Sequence, residues 1–186
     1  MRRVSPSFLR PFALAAAVAA FLTVAPGLSS TPPSVWLRST AAAVDVGGRA
    51  PEIGLNDLDG RPVRIADLRG KVVLVDFWAS WCAPCRQEFP VLQRLHQSYA
   101  AQGLVVVGVS VDNELRNVRE FLRRNPASFR IVHDPRKEAA ARYGGRAMPS
   151  SYLIDRRGIV RFYHPGFRAG DAAQLEREVQ QLLAQR

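Results

Sequence analysis

A C-x-x-C pair placed where an apolar strand gives way to a helix limits what this chain can fold into. The run Val72-Val73-Leu74-Val75-Asp76-Phe77-Trp78 is followed at once by Trp81-Cys82-Ala83-Pro84-Cys85 and then by a segment of helical periodicity. Cys82 and Cys85 are the only cysteines among 186 residues. Two thiols this close can close into a small disulfide ring and open again, and they have no other cysteine in the chain to pair with. One pair is too few for a structural framework, and a loop this short gains little stability from closure. The spacing therefore points to thiol chemistry.

The rest of the chain supplies a sheet and helices around that junction. Asp59-Gly60 lies between Ile53–Leu58 and Val63–Ile65 and predicts a hairpin, with Pro62 confining its second strand to an edge. Lys71–Phe77, apolar except for Asp76, predicts a central strand buried on both faces. A helix from Pro84 to about Ala101 follows, with Leu92, Leu95 and Tyr99 on its apolar side and Pro90 expected to kink it. Leu104–Val111 reads as a second buried strand. Leu115, Val118, Phe121 and Leu122 mark a helix ended by Asn125-Pro126. Phe129–Val132 predicts a short strand, and Arg136–Tyr143 a helix closed by Gly144-Gly145. Ser150–Ile154 and Ile159–Tyr163 form a hairpin about Asp155–Gly158. A last helix spans Ala172–Leu183, with Leu175, Val179, Leu182 and Leu183 on one side. The expected fold class is α/β: a mixed sheet with helices on both faces, an N-terminal β-hairpin and a central inserted αβ segment.

The N-terminus reads as an export segment. Arg2, Arg3 and Arg10 precede an apolar run from Phe12 to Ala25 that Pro26-Gly27 breaks. As a helix that run would reach about 21 Å, short of the roughly 30 Å hydrocarbon core. Extended to Pro11–Leu28 it would reach about 27 Å, so residues 1–28 are assigned as a signal peptide or an uncleaved membrane anchor. Residues 29–43, rich in Ser, Thr, Pro and Ala, read as a linker, and residues 44–186 as one domain. Of the net charge of +10, four arginines lie in residues 1–43 with no acid, leaving +6 for the domain. Those basic residues are scattered and not interleaved with aromatics, so a nucleic-acid groove is not expected. Contact with a membrane is expected only through the N-terminal segment.

Six positions have a chemical reading: Cys82, Cys85, Asp76, Glu88, Met148 and Pro149. Cys82 ends the strand turn and Pro84 opens the helix, so Cys82 meets the free N–H groups and partial positive charge of a helix N-terminus, which favour a thiolate. Cys82 is thus the expected nucleophile and the more exposed thiol, and Cys85, one turn in, the resolving thiol. Asp76 is the lone polar residue of its strand. Burial would raise its pKa into the range of a proton acceptor for Cys85, although a structural carboxylate held by local hydrogen bonds is the alternative. Glu88, three residues beyond Cys85, either borders the dithiol or is an ordinary exposed acid of the first helical turns. Met148-Pro149 precedes a strand, and a cis bond there would present backbone to a substrate strand.

Together these residues resemble the thioredoxin superfamily, in its TlpA/ResA-like branch of extracytoplasmic thiol–disulfide oxidoreductases. The likeness runs from about Val46 to Leu183. It rests on Val72–Phe89, Pro90, Met148–Asp155 and the insertion at Asn113–Gly145. It implies Cys82 as nucleophile, Cys85 as resolving thiol, a redox disulfide between them, and Met148-Pro149 as a cis-peptide loop that meets substrate beside Trp81. It supports Glu88 as a residue that tunes the dithiol. Asp76 departs from the Asn common in this branch and matches thioredoxin itself, and Ser150-Ser151 replaces the commoner Thr-Thr. The resemblance further implies a reductant of protein disulfides in an oxidising compartment, the periplasm or the outer face of the cytoplasmic membrane. Apocytochrome c or a copper-assembly protein are the implied clients, a membrane thiol transporter of the DsbD/CcdA type the electron donor, and no cofactor or metal is needed. A peroxiredoxin would need T-x-x-C, which is absent here. A dithiol oxidase stays open because direction depends on potential. A copper chaperone using Cys82, Cys85 and His133 or His164 also stays open.

Overall fold

The computed structural model describes residues 44–185; the assignments made for residues 1–28 and 29–43 lie outside the described residues. Seven strands and four α-helices occur among them: β1 Leu55–Asn56, β2 Pro62–Val63, β3 Val72–Trp78, α1 Ala83–Tyr99, β4 Leu104–Ser110, α2 Leu115–Arg124, β5 Arg130–His133, α3 Glu138–Tyr143, β6 Ser150–Ile154, β7 Val160–Pro165 and α4 Asp171–Ala184. Five strands form one sheet in the order β5-β4-β3-β6-β7. β3, β4 and β5 run parallel, while β6 and β7 are antiparallel additions. Every residue of β3 is buried, which is why its side chains are almost wholly apolar.

Alternation along β3 assigns the two faces. Phe77 packs on Tyr143 of α3, with ring centroids 5.0 Å apart. Trp78 packs on Phe89 of α1 at 5.1 Å, so α1 and α3 cover opposite faces. α4 lies beside α1, joined through the Tyr99 hydroxyl, which donates to Glu176 and accepts from Gln180. Asp76 has the parity of Trp78 and points to the α1 side. The register then places Ser151 of β6 opposite Asp76, and His164 of β7 opposite Ser151. A polar row thus crosses three strands beneath α1 and α4.

Two elements differ from the sequence expectation. The hairpin strands Ile53–Leu58 and Val63–Ile65 contract to Leu55–Asn56 and Pro62–Val63. The Asp57 carboxylate draws the turn inward by accepting from the N–H groups of Asp59 and Arg61. Glu52 likewise accepts from Ile65 and Ala66, which start a 3-10 turn, Ile65–Leu68, in place of strand. The helix expected from Arg136 begins at Glu138, because Asp134 accepts from the N–H groups of Glu138 and Ala140 and Lys137 is left-handed at φ 57°. α1 runs through Pro90, which stands on its exposed side, where the carbonyl it leaves unpaired can be hydrated.

Candidate active site

Cys82 is the N-cap of α1, with extended backbone at φ −80° and ψ 113°, and Pro84 lies in the first turn. Its sulfur accepts from the N–H of Cys85 at 3.3 Å, satisfying one of the donors a helix start leaves free. The same N–H would hold a Cys82 thiolate, aided by the positive end of the helix. Cys82 and Cys85 are joined as a disulfide with their Cα atoms 5.3 Å apart. In this joined state they are 5% and 2% exposed, so Cys82 is the more exposed thiol by a narrow margin. Trp81, immediately before them, is 65% exposed, unlike the buried Trp78.

Beneath the dithiol lie two carboxyl groups and one hydroxyl. Asp76 and Glu88 are 1% and 2% exposed, so the exposed alternative for Glu88 is overturned. Its position in α1 explains this. Cys85, Glu88, Phe89, Leu92 and Leu95 form one i, i+3, i+4, i+7 stripe turned toward the sheet. Ser151 Oγ lies 2.9 Å from Asp76 Oδ1 and 2.7 Å from Glu88 Oε1. Burial pushes the Asp76 carboxyl up to about 7. Burial, reinforced by the negative charge of Asp76, pushes Glu88 up to about 9. Desolvation raises both carboxyls, Glu88 further than Asp76, and the hydrogen bonds to Ser151 oppose the rise.

The peptide bond Met148-Pro149 is cis. Because Phe77 pairs with Ser150, this bend sits at the end of the sheet from which the dithiol loop departs. Ser150 Oγ donates to the Ala147 carbonyl and Gly166 N–H donates to the Pro149 carbonyl. Among the described residues no group of three or more His, Cys, Asp or Glu is arranged to hold a metal ion. His133 shares a hydrogen bond with the Asp112 carbonyl, and His164 pairs with Glu178 at 2.5 Å. A copper site would therefore rest on the two thiolates without either histidine.

A family model described as the AhpC/TSA family matches residues 46–163. The chain belongs to the AhpC/TSA family. The thiol-disulfide oxidoreductase ResA of Geobacillus thermodenitrificans (strain NG80-2) is 40% identical over 119 residues, which are 64% of this chain and 68% of that protein. The thioredoxin-like protein YneN of Bacillus subtilis (strain 168) is 36% identical over 126 residues, 66% of this chain and 73% of that one. Among solved structures, a crystal structure ascribed to a thiol:disulfide interchange protein DsbE of Chlorobium tepidum is similar at TM-score 0.74 and 40% identity. The match covers 76% of this chain and 100% of that one. These relatives make the chain a thiol–disulfide oxidoreductase with a thioredoxin-like fold, as the resemblance implied.

Two parts of the site are not evident from the sequence. Ser151 there only replaces a commoner Thr, whereas the strand register makes it the one hydroxyl between Asp76 and Glu88. Asp112, just past β4, accepts from Ser80 N–H at 2.9 Å, Ser80 Oγ at 2.7 Å and Ser110 Oγ at 2.8 Å. Arg86 Nη1 donates to the Ser80 carbonyl at 3.2 Å. The loop ahead of Cys82 is thereby fixed from both sides. Its signal in sequence was a polar Ser-x-Asp at the end of an apolar strand, on the same sheet end as the dithiol. Asp112→Ala leaves buried donors without an acceptor. We expect it to cost about 2–3 kcal/mol, lowering Tm by about 5–10 °C in a calorimetric scan.

Proposed function

We propose that this chain is an exported reductant of protein disulfides, acting through a mixed disulfide at Cys82. The observation that carries the reading is the N-cap position of Cys82, whose sulfur accepts the N–H of Cys85 at the helix start. In the reduced protein the Cys82 thiolate attacks a client disulfide. One client sulfur bonds to Cys82 Sγ and the other leaves with the electron pair of the broken bond. Cys85 then loses its proton to Asp76 and attacks Cys82 Sγ. The Cys82–Cys85 bond forms, the bond from Cys82 to the client breaks, and the second client sulfur leaves reduced. The client gains two electrons and the dithiol loses them.

Trp81 supports this reading as an exposed aromatic platform beside the nucleophile. At the cis bend the carbonyls of Ala147 and Pro149 are engaged internally, which leaves the Met148 backbone to meet an extended client segment. Residues 1–28 act as the export signal or anchor and put the domain in the periplasm or on the outer face of the cytoplasmic membrane. There a membrane thiol transporter of the DsbD/CcdA type returns two electrons to the disulfide. Apocytochrome c or a copper-assembly protein is the client, and no cofactor takes part.

Cys85→Ser in the full chain tests this. Attack at Cys82 proceeds and resolution does not, so a covalent adduct with the client accumulates. It should run as a higher band in non-reducing gels and collapse with added dithiol. Identification of the trapped protein separates an apocytochrome, a copper protein and a broad set of exported proteins. Absence of any adduct would overturn the stepwise mechanism.

A further inference from the structure

Ser151 has one hydroxyl proton and two carboxyl neighbours. Its Oγ is 2.9 Å from Asp76 Oδ1 and 2.7 Å from Glu88 Oε1, and both contacts are buried. An ionised carboxylate only accepts, and a hydroxyl can donate to only one acceptor at a time. Both contacts are hydrogen bonds only when one carboxyl is protonated and donates into Ser151 Oγ. Two buried carboxylates this close would in any case repel. The trio therefore holds one shared proton when the site is poised.

The surroundings decide where that proton sits. Glu88 Oε2 is buried with no hydrogen-bond partner among the described residues, so a charge on Glu88 would leave one of its oxygens unpaired. Asp171 at the start of α4 and Asp76 both set negative charge against Glu88. On β7, His164 stands opposite Ser151, but it is paired with Glu178 of α4 and does not compensate a charge on Glu88. Cys85 approaches from α1, and as a thiol it offers no positive charge. The arrangement of lowest cost is Glu88 O–H donating to Ser151 Oγ, and Ser151 O–H donating to an ionised Asp76.

We infer that Ser151 is a positioning residue that orders this pair, keeping the shared proton on Glu88 and leaving Asp76 as the acceptor for the Cys85 proton. The inference rests on the proposed role of Asp76 as base. As Cys85 Sγ bonds to Cys82 Sγ, its proton moves to Asp76, the client sulfur departs with the electron pair, and the pair becomes neutral. One proton then passes to the departing thiolate or to water, and the trio returns to its poised state. Without the hydroxyl, Asp76 loses the donor that stabilises its charge, and the proton is no longer directed to Glu88.

The test is the decay of the Cys82 mixed disulfide with a model peptide, measured by acid quench in full-length protein from about pH 6 to about pH 9. Ser151→Ala should move the acid limb of that rate upward by about one pH unit, slowing decay about five- to tenfold at neutral pH and little at the alkaline end. Ser151→Thr, which keeps a hydroxyl, should restore the wild-type profile. Carboxyl NMR titration of the oxidised protein should show the lower step of the coupled pair moving upward in Ser151→Ala. A loss in Ser151→Ala that is equal at every pH, or an unmoved titration, would overturn the inference and leave Ser151 a packing residue. Asp76→Asn separates the two levels. If the acid limb keeps its wild-type midpoint in Asp76→Asn, the base reading itself is wrong. If Asp76→Asn displaces the limb to the ionisation of the Cys85 thiol itself and Ser151→Ala leaves it in place, only the ordering role of Ser151 fails.

Discussion

Replacing Cys82 with serine is expected to bring disulfide reduction down to the uncatalysed background, a loss of at least about a thousandfold, or about 4 kcal/mol of barrier. A serine hydroxyl does not ionise at neutral pH and cannot form the sulfur–sulfur adduct, so the first attack has no nucleophile. Cys85 does not take its place, because it sits within the helix, is 2% exposed in the joined state and lacks the N-cap position. Serine is itself a good N-cap, so the helix start is retained and the loss does not arise from unfolding. Reduction of insulin by the full chain with a dithiol donor measures the effect, and circular dichroism confirms the fold. Retention of activity within about tenfold of wild type would remove Cys82 from the reaction. Cys85→Ser gives the contrasting result, an adduct that forms and persists.

The dithiol was legible because its chemistry is local. Two cysteines at this spacing, a proline in the first turn and an apolar strand in front place a thiol at a helix start without any long-range contact. β3 was legible for the same reason, since seven consecutive buried residues leave a continuous apolar run. Glu88 was half-legible. Its helical phase with Phe89, Leu92 and Leu95 already put it on the buried stripe, but its acidity suggested the surface. Ser151 and Asp112 were not legible as site residues, because their roles come from pairing. Ser151 meets Asp76 only through the antiparallel register of β6 on β3, across 75 positions of sequence, and Asp112 reaches Ser80 across 32. The hairpin itself was legible, but its strands are shorter than expected because Asp57 and Glu52 use side-chain oxygens to satisfy backbone N–H groups that a longer ladder would have used.

Asp76→Asn should make the oxidised protein more stable and the enzyme slower, and the pH dependence of the two effects identifies the cause. An ordinary aspartate has a pKa near 3.9, and burial holds Asp76 up to about 7. Between those values the folded state keeps a proton that the unfolded chain has lost, so stability falls as pH rises through that window and levels off above it. The displacement of about three units corresponds to about 4 kcal/mol at and above neutral pH, an upper figure because the interior relaxes around the charge. Asparagine carries no charge and can still meet Ser151. The variant should therefore melt about 5–10 °C higher than wild type near pH 8, with the gap closing toward pH 4. A gap of constant size across pH would mean that the folded protein holds the Asp76 proton no more tightly than the unfolded chain does, and the role of Asp76 as a base raised by burial would fall with it. The rate moves in the opposite sense. Cys85 loses its proton acceptor, so resolution slows most at neutral pH and recovers at alkaline pH, where the thiol ionises unaided. A buried acid that weakens the fold wherever it is ionised is the signature of a group kept for proton transfer, not for packing.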